Sequence, residues 1–198
     1  MRYLITLLFI PFISFAEVNL PLQKQLIDMG SKDQQIRSEL GKAGWKNSPK
    51  ELLEKLREID QSNTDRLKDI IKEHSWLTKQ LVEVEGIGAA FLIIQHSPDI
   101  AFKEEMLPYL EKSYLNNGGV SGQQVALLTD RVLIAQGKKQ IYGTQADLSE
   151  GQVIFSPIED EANVDKRRKK MNMPSLKFYR KVMEKMYGIK DHPDIELN

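Results

Sequence analysis

Apolar side chains recur every three or four residues along most of the chain, which is the spacing of amphipathic helices. The first stripe follows Asn19 and Pro21, a cap and a first-turn residue that favour a helix start. Gly30 weakens this helix locally, and Gly41 and Gly44 are expected to end it. The stripe consists of Leu22, Leu26, Met29, Ile36 and Leu40.

The same spacing predicts further helices. The sequence SPKE at 48–51 is typical of a capping box and predicts a long helix that ends near His74. GIGAAFLIIQH at 86–96 predicts a short central helix, because a helix that is apolar on nearly all sides is normally buried. Ser97 and Pro98 favour the start of another helix, which ends at Asn117.

Two more helices are predicted in the second half of the chain. Ser121 caps a helix that contains VALLTDRVLIA at 125–135 and ends before Gly137. This helix is apolar on nearly every side, yet Asp130 and Arg131 lie in its middle, and buried charges need partners. The final helix is expected from Pro174 to about Tyr187.

The remaining pattern predicts one small β element. KQIYGTQA at 139–146 and GQVIFSP at 151–157 alternate polar and apolar residues, which indicates a short hairpin. The predicted fold is therefore mainly α: a single domain of about six helices packed as an irregular bundle, with one small β-hairpin. The domain is expected to span 17–190, and the tail at 191–198 is expected to be loose.

The first 16 residues differ from the rest. They have Arg2 near the start, an apolar run from Tyr3 to Phe15, and small residues at the −3 and −1 positions, Ser14 and Ala16. This is the layout of a secretory signal peptide cleaved after Ala16. The run is shorter than the roughly 20 residues of a membrane helix, which leaves an uncleaved anchor as the alternative. The expected location is periplasmic or secreted, with membrane contact only through the signal.

Charge and cysteine content narrow the function classes. The 28 basic and 28 acidic residues balance, and loss of Arg2 with the signal leaves a net charge of −1. A nucleic-acid partner calls for a basic surface, so none is expected. The chain has no Cys, which excludes a cysteine nucleophile and a cysteine-linked lipid anchor. The oligomeric state does not follow from composition.

Polar residues interrupt the apolar helices at four places. Asp33 and Asn63 complete the stripes of the first two helices, Asp130 lies within the fifth, and His96 ends the central helix. In helical bundles, ligand sites are built from such inward-facing polar groups. The alternative is that each is a satisfied structural group that hydrogen-bonds one helix to another.

The functional hypothesis is a polar pocket for a small polar or anionic ligand, with hydrolytic or transfer chemistry on it left open. His96 is the expected proton carrier, Asp130 its orienting group, and Tyr142 a further acid–base candidate. Arg131 or Arg168 is expected to stabilise negative charge. The full set of predicted ligand-binding residues is Asp33, Arg37, Arg131, Gln140, Thr144, Gln145 and Arg168.

Other chemistries have weaker support. Asp33, Asp60, Asp130 and His96 are acceptable ligands for a hard cation, but Glu-x-x-His and His-x-x-x-His spacings are missing, so no metal is predicted. There is no Gly-x-Ser-x-Gly elbow, and Gly86-Ile87-Gly88 lacks the third glycine of a dinucleotide loop. No cofactor is identified. The second hypothesis is a non-catalytic interaction module of the cell envelope, whose polar residues form an internal network.

The pattern D-R-V-x-x-x-x-G-x-x-Q-x-Y-G-T-Q, from Asp130 to Gln145, resembles a widespread bacterial family described as a domain of unknown function. The likeness extends over most of the chain after the signal. It departs at Ser75-Trp76-Leu77, where the family tends to have Gly-Trp-Pro. The resemblance implies that the polar residues belong together, and it implies no reaction or cofactor. The outlying matches are Asp33 with Arg37, Asp60 with Asn63, Gln95 with His96, and Arg167 or Arg168.

Overall fold

Seven α-helices and one two-stranded antiparallel sheet form the described part of the chain, in a computed structural model. The described residues are 17–44, 48–149 and 151–186. The predicted signal peptide at 1–16 and the tail at 191–198 lie outside them. The mainly α fold with one small hairpin is confirmed.

The elements follow one another along the chain with short connections. The helices are α1 (Leu20–Ala43), α2 (Lys50–His74), α3 (Lys79–His96), α4 (Ile100–Leu115), α5 (Gly122–Ala135), α6 (Val164–Lys170) and α7 (Leu176–Met186). Between α5 and α6 lie strands β1 (Ala146–Ser149) and β2 (Gln152–Phe155) and a 3-10 turn at Glu161–Asn163.

The core is built around α3, which packs against α1, α2, α4 and α5. Its apolar side chains are buried on nearly all sides, as predicted for the central helix. It begins at Lys79 rather than at 86, because the Thr78 hydroxyl accepts a hydrogen bond from Leu81 N at 3.3 Å and caps an earlier turn. Glu83, at φ 55°, interrupts the helical backbone between the two parts.

The contact between α1 and α3 places two of the predicted polar residues. α1 runs unbroken through Gly30, where a Cβ atom would lie 3.1 Å from Ala89 Cβ. Gly30 lies about one turn before Asp33, and Ala89 about two turns before His96. The close approach that glycine permits therefore holds α1 and α3 together within about two turns of both polar side chains.

Two predicted helix starts differ from the structure in detail. Ser48 donates its hydroxyl to Gly44 O at 3.1 Å, and α2 begins after Pro49, so within the described residues the predicted capping box is not formed. α4 is capped by Asp99, whose carboxylate accepts from Phe102 N at 3.0 Å. Ser97, the predicted cap, instead accepts from Asp99 N at 3.1 Å.

The hairpin is shorter than predicted. β1 and β2 pair in antiparallel register from Ala146 with Phe155 to Ser149 with Gln152. Gln140 forms an isolated bridge with Ile158, and the segment 141–145 is a loop, because several of its backbone N–H groups are bonded to the carboxylate of Asp130 instead of to a strand. In the three described ranges, no helix is long and apolar enough to cross a lipid bilayer.

Candidate functional site

Asp130 organises the loop that follows α5. The carboxylate is fully buried and accepts hydrogen bonds from Ile141 N at 2.7 Å, Tyr142 N at 3.0 Å and Thr144 N at 2.9 Å. The Thr144 hydroxyl donates a further bond at 2.9 Å. Both carboxylate oxygens are thus held by N–H or O–H donors, which satisfies a charge that would otherwise be costly to bury.

The two glutamines of the motif close the same loop. Gln140 donates from its side chain to the carbonyls of Gln145 at 2.9 Å and Ser156 at 2.7 Å, and it accepts from Gln145 N at 2.9 Å. The Gln145 amide donates to the Thr144 hydroxyl at 2.9 Å and to Leu127 O at 3.4 Å. These side-chain bonds add to the backbone bonds that join the loop to the segment after β2, from Ser156 N to Gln145 O at 3.1 Å and from Gln140 N to Pro157 O at 3.0 Å.

The basic run at 166–170 supplies the other side of the loop. It forms α6, and Arg168, which is fully buried, donates to Tyr142 O and Pro174 O, each at 2.7 Å. Arg167 donates from Nε to Ile141 O at 2.8 Å. The loop N–H groups therefore face Asp130 while its carbonyls face two guanidinium groups. Burial lowers the pKa of Arg168.

The motif residues Asp130, Gln140, Thr144, Gln145 and Arg168 are brought together, and they bond mainly to the loop and to one another. Burial, together with the nearby Asp130 carboxylate, raises the pKa of Tyr142, so its hydroxyl stays protonated at neutral pH. The roles predicted for these residues in ligand binding and catalysis stay predictions. Their contacts are those of a support that fixes the loop against α5 and α6.

A second cluster lies around His96, at the end of α3. Its Nδ1 atom is 2.9 Å from both carboxylate oxygens of Asp33, which is almost completely buried. A carboxylate can only accept, so Nδ1 carries the proton and donates it to Asp33. Nε2 makes no hydrogen bond to any described residue, and the ring is 19% exposed. The group that orients His96 is thus Asp33, and not Asp130 as the sequence suggested.

Arg37 ties α1 to α2 beside this pair. Its Nη1 lies 2.9 Å from Asp33 Oδ1, and its Nη2 donates to both oxygens of Asp60 at 3.0 and 2.9 Å. The Gln34 amide donates to Asp33 at 2.7 Å. Asp33 therefore accepts from His96, Arg37 and Gln34, so this almost completely buried carboxylate has several hydrogen-bond and ion-pair partners.

Arg131, next to Asp130 on α5, faces this cluster instead of the loop, because adjacent helix residues point in different directions. With its amide oxygen turned to the guanidinium, the orientation that satisfies both groups, Gln95 accepts from Arg131 Nη2 at 3.1 Å and Nε at 2.9 Å. Burial lowers the pKa of Arg131, and the charge of Arg37 lowers it further. The Gln95-His96 pair thus binds both Arg131 and Asp33.

Sequence reasoning missed Lys103 on α4. This residue is only 5% exposed, and the charges of Arg131 and Asp60 act on its amine. Burial, chiefly, lowers the pKa of Lys103 to about 8. The signal was present in the sequence: Lys103 lies three residues before Met106 and seven before Leu110, both buried, so it interrupts an apolar stripe as Asp33 does.

The two clusters are distinct. The first, which we call the His96 cluster, consists of Asp33, Arg37, Asp60, Gln95, His96, Lys103 and Arg131. The second, which we call the Asp130 support, consists of Asp130, Gln140, Thr144, Gln145 and Arg168 with the loop that they hold.

Asn63, the remaining polar residue predicted on an apolar stripe, belongs to neither cluster. Its amide donates to Met29 O at 3.3 Å and so bridges α2 and α1. In the part of the chain that the structure describes, no group of three or more His, Asp or Glu side chains is arranged to hold a metal ion.

A cavity of about 470 Å³ lies elsewhere, between the α2–α3 connection and the C-terminal end of α4. Trp76 and Tyr109 line it, and their rings stack with centroids 6.1 Å apart. Among the described residues, none of those predicted for the site lines this cavity. The predicted polar residues and this aromatic cavity are therefore separate features.

The protein is thus a mainly α domain in which several helices place charged side chains next to one another in a partly exposed cluster. The model of a family of unknown function, DUF6624, matches residues 20–192, and the chain belongs to that family. No curated protein and no solved structure matches the chain. The function is therefore argued from the geometry of the site.

Proposed function

We propose that this protein is exported, binds a small polar or anionic ligand at the His96 cluster, and acts on it by acid–base chemistry through His96. The observation that carries the proposal is the geometry of His96. Asp33 holds Nδ1–H at 2.9 Å, which leaves the Nε2 lone pair on a partly exposed ring without a hydrogen bond to the described residues. An imidazole fixed in one tautomer by a carboxylate is suited to proton transfer at its other nitrogen.

The surrounding charges support a ligand with negative or strongly polar groups. Arg37 and Arg131 lie beside the pair, and Arg131 is bonded to the neutral amide of Gln95, so its charge is not cancelled by a carboxylate within the described residues. Guanidinium groups bind carboxylate and phosphate oxygens in a planar fork. The Asp130 support would keep α5, and with it Arg131, in place.

The test is a ligand screen on the purified protein, followed by a pair of matched variants. Small polar and anionic compounds are screened by thermal shift, and each hit is measured by calorimetry and for turnover. We expect His96→Gln to abolish turnover or to weaken binding at least tenfold, since glutamine cannot exchange a proton. His74→Gln, at a residue whose one ion-pair partner among the described residues is Glu73 at 3.5 Å, should change neither. Full binding and turnover in His96→Gln would refute the proposal.

A second candidate is a non-catalytic interaction module of the cell envelope. The Asp130 support favours it, because its polar groups bond mainly to the backbone and to one another, as expected of a network that fixes helix register. This function predicts an envelope partner whose binding survives substitution of the whole His96 cluster. Cross-linking in intact cells, with and without those substitutions, separates the two candidates.

A further inference from the structure

Lys103 differs from three other buried charged residues that the structure describes. Asp33, Asp130 and Arg168 each have several hydrogen-bond partners. The Lys103 amine makes no hydrogen bond and no ion pair with any described residue, although the side chain is only 5% exposed. An ammonium group on a side chain that is largely removed from water is unfavourable without a partner, and such groups are normally paired.

The balance of charge around Lys103 is also incomplete. Arg37 engages both carboxylates of the His96 cluster, Asp33 and Asp60, at 2.9 Å. Arg131 donates to the neutral amide of Gln95. Lys103 makes no hydrogen bond to a polar side chain in the described ranges. Two cations on packed neighbouring helices, α4 and α5, thus share one region without a carboxylate partner of their own.

We propose that Lys103 and Arg131 together form an oxyanion-binding site, so that the ligand of the His96 cluster carries a phosphate or carboxylate group. The proposal rests on the proposed function for the location of the ligand, and it adds the chemical class. An oxyanion there would give Lys103 the counter-charge that it lacks, and the guanidinium of Arg131 would supply a planar pair of donors.

The position of this site relative to His96 follows from the sequence of Gln95 and His96 on α3. Gln95 fixes Arg131, and the next residue carries the free Nε2 atom. Arg37, which lies 2.9 Å from Asp33, also acts electrostatically on Arg131, so a ligand whose anionic group is bound by Lys103 and Arg131 would present the rest of the molecule near the Asp33–His96 pair. The pKa of about 8 for Lys103 keeps the amine mostly protonated at neutral pH, as anion binding requires.

The competing explanation is that Lys103 is only a packing residue whose aliphatic stem fills the space between helices. In that case its replacement by a residue of similar length would leave anion binding unchanged. Lys103→Met keeps the unbranched stem and removes the charge. Lys112→Met, at an exposed lysine on the same helix, is the matched control.

The experiment measures binding of inorganic phosphate, sulfate and acetate to the purified protein by calorimetry and by thermal melting at constant ionic strength. Melting alone is insufficient, because phosphate and sulfate stabilise proteins without specific binding. We expect saturable binding of at least one anion, weakened at least tenfold in Lys103→Met and in Lys103→Gln, and unchanged in Lys112→Met. Preference between phosphate and acetate then distinguishes a phosphate group from a carboxylate.

Two results would overturn the proposal: equal anion affinity in wild type and Lys103→Met, or no saturable binding of any of the three anions to wild type. His96→Gln separates this inference from the proposed function. Anion binding that persists in His96→Gln while turnover is lost supports both. Loss of turnover in His96→Gln with an unaffected Lys103→Met leaves the acid–base proposal standing and refutes the oxyanion site.

Discussion

His96 and Asp33 lie 63 positions apart in the sequence, yet His96 Nδ1 is 2.9 Å from both oxygens of the Asp33 carboxylate. The pair joins the end of α3 to the middle of α1, and Arg37 extends it to Asp60 on α2. This relationship fixes which nitrogen of His96 is available for chemistry, and it leads to the first prediction.

In the wild-type protein, the neutral His96 ring should carry its proton on Nδ1, because Asp33 can only accept. Asp33→Asn removes this requirement, since an amide can donate as well as accept, and the Nε2-protonated form should then appear. The ¹⁵N chemical shifts of the imidazole nitrogens measure the tautomer directly. His74 serves as an internal control and should keep its shifts in both proteins; a wild-type His96 ring protonated mainly on Nε2 would contradict the geometry.

The close contact between Gly30 on α1 and Ala89 on α3 lies near both of these residues. Gly30→Val should destabilise the protein by about 1–3 kcal/mol, because the first carbon of the new side chain would lie 3.1 Å from Ala89 Cβ and would push α1 from α3. Since Asp33 is about one turn away, ligand binding at His96 should weaken as well. Urea unfolding measures the stability change.

Gly88→Val is the matched control for this substitution. Gly88 lies on α3, and a Cβ atom there meets nothing within 4 Å. Valine has a higher helix propensity than glycine by a few tenths of a kcal/mol, so this variant should be neutral or slightly stabilised. Equal destabilisation by both substitutions would mean that the close approach of α1 and α3 is not what Gly30 provides.

Much of the helical architecture could be predicted from the sequence, because an apolar stripe with a 3.6-residue period can be read from neighbouring residues without knowledge of distant contacts. The unbroken course of α1 through Gly30 could not be decided, since the benefit of a glycine there comes from Ala89 on another helix. The segment 139–146 was predicted as a strand because it alternates. Three of its N–H groups bond to Asp130, which precedes the segment by about ten residues, and alternation carries no information about such a partner.

The composition of the site was predictable in part. Asp33, His96, Asp130 and Arg131 were found because each is polar on an apolar helix, and all are buried or partly buried. Their pairing was not predictable, since helix spacing shows that a side chain faces inward but does not show which neighbour it meets. Lys103 was overlooked although it carries the same signal, a polar residue on a stripe of buried positions.

Asp130 gives a prediction about stability. Asp130→Asn has nearly the same shape, but both carboxylate oxygens accept from N–H groups, so either orientation of the amide sets an NH₂ group against a donor. We expect a loss of about 2–4 kcal/mol, since a buried network loses bonds and leaves donors unpaired. Thr144→Val removes one donor and should cost about 1 kcal/mol. Asp147→Asn, on the exposed face of β1, should stay within about 0.5 kcal/mol; denaturant melts of the three variants compare them.

Lys103 should lower the free energy of unfolding of the ligand-free protein, by an amount that depends on pH. Its pKa is about 8 in the folded protein, against 10.5 for an ordinary lysine, because burial and the charge of Arg131 outweigh the attraction of Asp60 and Asp99. Below pH 8 the Lys103 amine is protonated in both the folded and the unfolded protein. Burial of the charge then destabilises the folded state by about 3 kcal/mol, at 1.36 kcal/mol per pKa unit. Between about pH 8 and 10.5 the unfolded chain binds more protons than the folded one, so stability rises with pH.

Lys103→Met should therefore be more stable than wild type by about 2–4 kcal/mol at pH 7, with the difference shrinking as the pH approaches 10.5. Urea unfolding of both proteins at pH 7 and pH 10 measures this, with Lys112→Met as the control that follows wild type at each pH. A lower stability of Lys103→Met at pH 7 would mean that the amine has a favourable partner in the free protein. A stabilised variant that no longer binds phosphate, sulfate or acetate would instead show that the buried charge is retained for its ligand at a cost in stability.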